Sequence, residues 1–247
     1  MTFWDHLDDL RSTLLRIAVV FFSVAAILFF FKTFLFEKII FAPTRPEFFL
    51  YRLLGADMSV RLQNIEVSTQ FFVHIKVTLL SALMVCFPYF VFEIWKFVAP
   101  ALYDNEKKAV KGALSFSGIL FYIGVVVAYC LIFPLMLHFF ADYQVSEQVK
   151  NNFSLSAYIS MLVSTLLMFG IVFEFPTLIA VLSSMGVVSK NGLRKYRRHA
   201  LCLIMLLAAI ITPSGDPFTL IICTVPMYLL YEFSILICKN NIIGEDE

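Results

Sequence analysis

Charge is the first thing this sequence is short of. Aspartate, glutamate, lysine and arginine together supply 15% of its 247 residues, whereas 60% are hydrophobic; an ordinary soluble domain carries about a quarter charged residues. With a mean hydropathy of +0.86, the chain has too little polar surface for a sizeable water-soluble domain. A formal net charge of +1 lacks the basic excess that a nucleic-acid binder uses. Cysteines number 5, and Cys86, Cys130, Cys202, Cys223 and Cys238 lie within or at the ends of apolar segments, as small hydrophobes and not as a disulfide framework.

Catalytic signatures are missing too. His6, His74, His138 and His199 are far apart and show no metal-ligand spacing. The stretch SFSG at 115–118 lacks the first glycine of a serine intramembrane protease, and SGD at 214–216 is not the G-x-G-D of an aspartyl one. There is no glycine-rich phosphate loop, fixed-period repeat or low-complexity tract. Neither an enzyme nor a cofactor or metal site is expected. The first apolar run is too long for a signal-peptide core and no convincing small-residue cleavage site follows it, so the first helix is expected to be retained.

What is present in quantity is long apolar runs. A helix needs about 20 residues to cross about 30 Å of hydrocarbon, and the runs predict an all-α integral membrane protein of one domain, 1–247, with six spans near 14–36, 71–98, 110–140, 155–184, 200–212 and 217–238. The last two form a hairpin about the turn TPSGDP and are expected to be short. A helix that short crosses where the bilayer thins or where neighbours shelter its ends, so local thinning is predicted there. Arg11, Arg16, Lys96, Lys107, Lys108, Lys111, Lys190, Arg194, Lys195, Arg197, Arg198 and Lys239 collect on one side, against only Lys32, Lys38, Arg45, Arg52, Arg61 and Lys150 on the other. By the positive-inside rule both termini face the cytoplasm. The loop 37–70, with APTRPEF, caps the outer face.

Acidic residues then stand out by position. Asp8 and Asp9 sit in HLDDLR at the start of the first helix, Glu106 follows the break in FVAPALYDNEKK, and Glu174 lies inside the fourth span in IVFEFP. By residue physics alone, Asp8, Asp9 and Glu106 read equally as first-turn acids that complement a helix dipole, or as an anionic site at the inner surface. Glu174 is different: it lies near mid-bilayer, where a carboxylate is costly and marks function or a partner contact. Pro176 weakens the helix beside it. Lys76 and His74 are expected to snorkel outward, Glu93 to pair locally with Lys96, and Glu232 to pair with Lys239 or face water.

Taken together, HLDDLRSTLLR, FVAPALYDNE, FEFP, TPSGDPF and VPMYLLYE resemble, in order and along nearly the whole chain, the motifs of the TatC family, the multi-span receptor subunit of the twin-arginine protein translocase. The resemblance implies recognition of signal peptides with paired arginines and transport of folded proteins. Transport would be driven by the proton-motive force, with TatA-like and TatB-like single-span partners in the inner membrane of a bacterium. It implies signal-peptide binding at Glu106 and Asp9, with His6, Leu10, Arg11, Phe97, Pro100 and Leu102 as the supporting motif. By the same resemblance Glu174 is the intramembrane residue facing partner helices, and Pro43 and Asp216 belong to the outer loops. Two positions depart from the family pattern: Asp9 stands where glutamate is usual, and Leu220 where a glutamine is frequent. The competing expectation is a small secondary transporter or channel using Glu174 as its ion site.

Overall fold

In a computed structural model, the described residues are 3–55, 60–99, 104–146, 148, 151–212 and 216–238, and their side chains are described except at 3–6, 98, 104–111, 113, 115 and 211. In chain order the helices are α1 (Phe3–Phe30), α2 (Lys32–Phe34), α3 (Phe49–Leu54), α4 (Thr69–Val98), α5 (Asp104–Val127), α6 (Phe133–Asp142), α7 (Leu155–Val172), α8 (Phe175–Ser184), α9 (Lys190–Lys195), α10 (Arg197–Ile211) and α11 (Pro217–Ile237). A π-helical segment, Ala128–Ile132, joins α5 to α6 into one long rod, and another, Leu35–Ile40, follows α2. Two residue pairs, Leu62 with Phe153 and Gln63 with Ser154, make a short parallel β1–β2 bridge across loops.

Among the described residues, five helical stretches are long and apolar enough to cross a membrane: Leu7–Phe30, Thr69–Phe97, Phe116–Asp142, Leu155–Ser184 and Pro217–Ile237. The sixth expected span, α10, has 15 residues, or about 22 Å at 1.5 Å each, short of the hydrocarbon thickness. Its partner α11 is not short, contrary to expectation: with 21 residues it covers about 31 Å. Pro217 occupies its first turn, where the missing N–H is harmless, and Pro226 inside it does not end the helix. The first helix also departs from expectation. It starts at Phe3 and its regular part stops at Phe30, with a turn at Phe31 before the π segment.

Unlike a soluble bundle, the protein is apolar on its outer face as well as in its core. Leu14, Val19, Phe22 and Phe30 on α1, and Ile221, Leu229 and Leu236 on α11, are exposed apolar side chains, an outer belt suited to acyl chains. The core lies where α4, the α5–α6 rod and α7 meet, around Val77, Ile132, Phe133, Leu162 and Phe169. Antiparallel packing of α1 on α4 follows from Phe21 against Phe90 and Phe29 stacked on His74. The end where α1 begins and α4 finishes is called proximal below, the other distal.

Three tyrosines anchor the distal cap. Tyr129 donates to the Ile39 carbonyl (2.5 Å), Tyr158 to the Ile40 carbonyl (2.6 Å) and Tyr51 to the Pro43 carbonyl (2.9 Å). A π segment does not hold its carbonyls in the regular α pattern, and the Tyr129 and Tyr158 hydroxyls satisfy two of them where an unpaired carbonyl is costly. Burial pushes the Tyr51 phenol up from its ordinary value, so it stays a donor at neutral pH. Pro43 is buried in the first turn of a 3₁₀ segment, Ala42–Thr44. Its carbonyl is what Tyr51 reads.

Candidate functional site

At the proximal end, α1 presents Asp8, Asp9 and Arg11 as exposed side chains, with Leu10 half-buried. The Ser12 hydroxyl donates to the Asp9 backbone carbonyl at 3.0 Å, leaving the Asp9 carboxylate outside that bond. Level with this stretch, α4 ends at Val98 and α5 begins at Asp104, which puts Glu106 in the first turn of α5. The chain therefore brings the Asp9 stretch and the helix start bearing Glu106 to the same end of the bundle. Phe97, half-buried in the last turn of α4, stands at that end as well. Pro100 and Leu102 lie outside the described residues, as do the side chains of His6 and Glu106.

Behind this end sits a network that local spacing does not reveal. Glu93 is buried at 4% exposure, and its partner is not Lys96 three residues on but Arg16 of α1. Arg16 donates from Nε (3.1 Å) and Nη2 (2.9 Å) to Glu93 Oε2, and Tyr89 donates to Oε1 at 3.0 Å. Arg16 Nη2 also reaches the Thr13 hydroxyl at 2.9 Å. The i,i+3 relation of Glu93 and Lys96 permits contact, but a guanidinium donating twice to Oε2, with the Tyr89 hydroxyl on Oε1, satisfies the buried carboxylate better than an ammonium on the outer face.

Glu174 forms a second site. The fourth span is broken there: α7 stops at Val172, Phe173 and Glu174 form a turn, and α8 restarts at Phe175 with Pro176 in its first turn. Ser117 of α5 donates to Glu174 Oε2 at 2.6 Å. Oε1 is buried and has no hydrogen-bond partner among the described residues. Two glycines make this approach of α5 to the fourth span possible. A Cβ on Gly124 would lie 2.5 Å from the Phe169 carbonyl oxygen, and one on Gly170 2.6 Å from the Phe121 ring.

The hairpin of α10 and α11 is joined by a polar contact at its proximal end, and α11 is capped at the other. At the proximal end Arg197 donates to Glu232 Oε2 at 2.6 Å and Tyr228 to Oε1 at 3.0 Å, so Glu232 pairs across the hairpin; Lys239 lies outside the described residues. At the other end Asp216 caps α11: its Oδ1 accepts from the Thr219 amide at 2.9 Å and its Oδ2 from the Thr219 hydroxyl at 2.6 Å. The Thr219 hydroxyl is thereby engaged in the cap, beside half-buried Leu220. Replacing Asp216 with alanine should lower stability by about 1 kcal/mol, measured as a lower thermal midpoint of the purified chain, while asparagine should restore most of it. No change with alanine would show that the cap contributes nothing.

These features define a class: a multi-pass α-helical membrane protein whose polar chemistry is a carboxylate-bearing end and a glutamate at a helix break. Residues 5–226 match the family model for the Sec-independent protein translocase protein TatC, and the chain belongs to that family. It is 34% identical over 252 aligned positions to the Sec-independent protein translocase protein TatC of Blattabacterium sp. subsp. Periplaneta americana, covering 96% of this chain and 94% of that one. The protein of the same name from Aquifex aeolicus is 30% identical, with 97% and 95% covered. A crystal structure of the twin arginine translocase receptor TatC in DDM superposes with a TM-score of 0.79 at 30% identity, over 95% of this chain and 99% of that chain. The family match decides for a translocase subunit over the solute transporter that the sequence alone left open.

Proposed function

We propose that this chain is the signal-reading subunit of a Sec-independent translocase, which binds signal peptides carrying paired arginines and conveys folded proteins across the inner membrane of a bacterium. The observation that supports the reading most is the convergence, at one end of the bundle, of the exposed Asp9 stretch and the start of α5 that bears Glu106. A guanidinium offers a planar fork to a carboxylate, so two adjacent arginines suit two carboxylates in a way that lysines do not. Leu10, Arg11 and Phe97 stand at the same end, and the family resemblance adds His6, Pro100 and Leu102 to the motif.

The proximal end faces the cytoplasm, with both termini inside and six crossings, in keeping with the lysine and arginine bias. Glu174 receives a polar group from a TatA-like or TatB-like single-span helix, Oε1 being the carboxylate oxygen that Ser117 leaves unused. The short α10 crosses where the bilayer thins, and the proton-motive force drives transport through the assembled complex. Energised vesicles with this chain and its partner subunits should import a folded precursor with Arg-Arg and fail with Lys-Lys. Equal import of both, or import without this chain, would reject the reading.

A further inference from the structure

We infer that Arg16, Glu93 and Tyr89 form a clamp that positions Asp9 for signal-peptide binding; the inference rests on the function proposed above. Asp9 and Arg16 are seven residues apart, within about 20° of two full helical turns, so Asp9, Thr13 and Arg16 share one stripe of α1. That stripe faces α4: Thr13 is buried at 6% exposure and Arg16 grips Glu93 through two donors. Among the described residues, these are the only side-chain hydrogen bonds that run from α1 to another helix. Elsewhere α1 touches α4 through apolar and ring contacts such as Phe21 with Phe90, and such contacts tolerate sliding and rotation.

The clamp does not. Glu93 is held by Tyr89 on its own helix, and Arg16 is braced by Thr13 and by Ser12 at 3.3 Å, so donor and acceptor are both oriented before they meet. From that fixed point α1 runs about 10 Å to Asp9, and α4 runs about 8 Å from Glu93 to its end at Val98. A residue seven positions away is thus set in rotation and depth relative to the start of α5. Aspartate, one methylene shorter than glutamate, has little reach with which to correct a misplaced helix. Arg16, Glu93 and Tyr89 are positioning residues in this account, and Asp9 is what they position.

The test uses the full-length chain in detergent or nanodiscs. Spin labels at Asp8→Cys and Gly112→Cys, in a background whose native cysteines are replaced by serine or alanine, report the distance between α1 and α5, and a labelled Arg-Arg signal peptide reports affinity. Arg16→Met and Glu93→Gln should each broaden the distance distribution and weaken the peptide by about tenfold, the equivalent of one charge-assisted hydrogen bond. The double variant should be no worse than either single one, because both remove the same contact. Arg16→Lys should recover part of the affinity. Tyr158→Phe, which loosens the distal cap instead, should lower the thermal midpoint and leave affinity alone.

An unbroadened distribution, or undiminished peptide affinity, in Arg16→Met would overturn the inference while leaving signal recognition intact. If the unmodified chain does not bind the Arg-Arg peptide at all, the function itself is rejected, and the positioning role with it.

Discussion

Glu106→Ala should reduce binding of an Arg-Arg signal peptide by about a hundredfold and stop transport, with the protein still inserted at its normal level. The size follows from the chemistry. A carboxylate that accepts two N–H groups from a guanidinium at a half-hydrated boundary contributes about 1.5–3 kcal/mol per bond, and about 2.7 kcal/mol corresponds to that factor. Because α5 starts at Asp104 and Glu106 lies in its first turn, the helix keeps a second first-turn acid when Glu106 is lost, so folding should be little affected. Glu106→Gln retains the shape but not the charge and should lose nearly as much; Glu106→Asp should lose less. The measurement is peptide affinity by fluorescence anisotropy alongside crosslinking of a precursor in membranes. Undiminished crosslinking in Glu106→Ala would remove this residue from the site.

Glu174→Ala should leave signal-peptide affinity unchanged but abolish transport and copurification of the single-span partners. Glu174 sits at a break between α7 and α8, spends one oxygen on Ser117, and has the other buried without a partner among the described residues. A buried acceptor left unsatisfied costs about 1–3 kcal/mol, which a polar group on an incoming helix would offset. Glu174→Gln should be milder than alanine, since the amide keeps an oxygen acceptor. Ser117→Ala should have a smaller effect again, because it removes only an internal neighbour. Normal export together with normal partner copurification in Glu174→Ala would reduce the residue to an incidental feature of the turn.

Much of this could be read from the sequence, for reasons that differ by element. Apolar runs mark α4, the α5–α6 rod, the fourth span and α11 because hydrocarbon forces every backbone group into helix. The break at Glu174 could be foreseen from Pro176, whose ring clashes with the preceding turn. The shortness of α10 follows from the few apolar residues between Ala200 and the TPSGDP turn, whereas the expected bounds of α11, 217–238, nearly match Pro217–Ile237 and already hold enough residues to cross, so only its description as short fails.

What stayed hidden is pairing between residues far apart in the chain. Arg16 and Glu93 are 77 residues apart, and their meeting depends on the register of α1 against α4, which no local spacing encodes. The three tyrosines of the distal cap are invisible for the same reason, and so is the link from Arg197 to Glu232. Asp216, expected as an outer-loop acid, turned out to be a helix cap. An S/T/D residue before Pro-Phe-Thr carries that signal on its own, through the amide three residues on.

The central claim is that this chain reads paired arginines with carboxylates at its proximal end. Binding of two otherwise identical labelled peptides, one with Arg-Arg and one with Lys-Lys, to the purified full-length chain tests it most directly. Tighter binding of Arg-Arg by at least about tenfold, from the bidentate geometry that lysine lacks, and lost in Glu106→Gln, is the predicted result. Equal affinity for the two peptides, or a preference that survives Glu106→Gln, would contradict it.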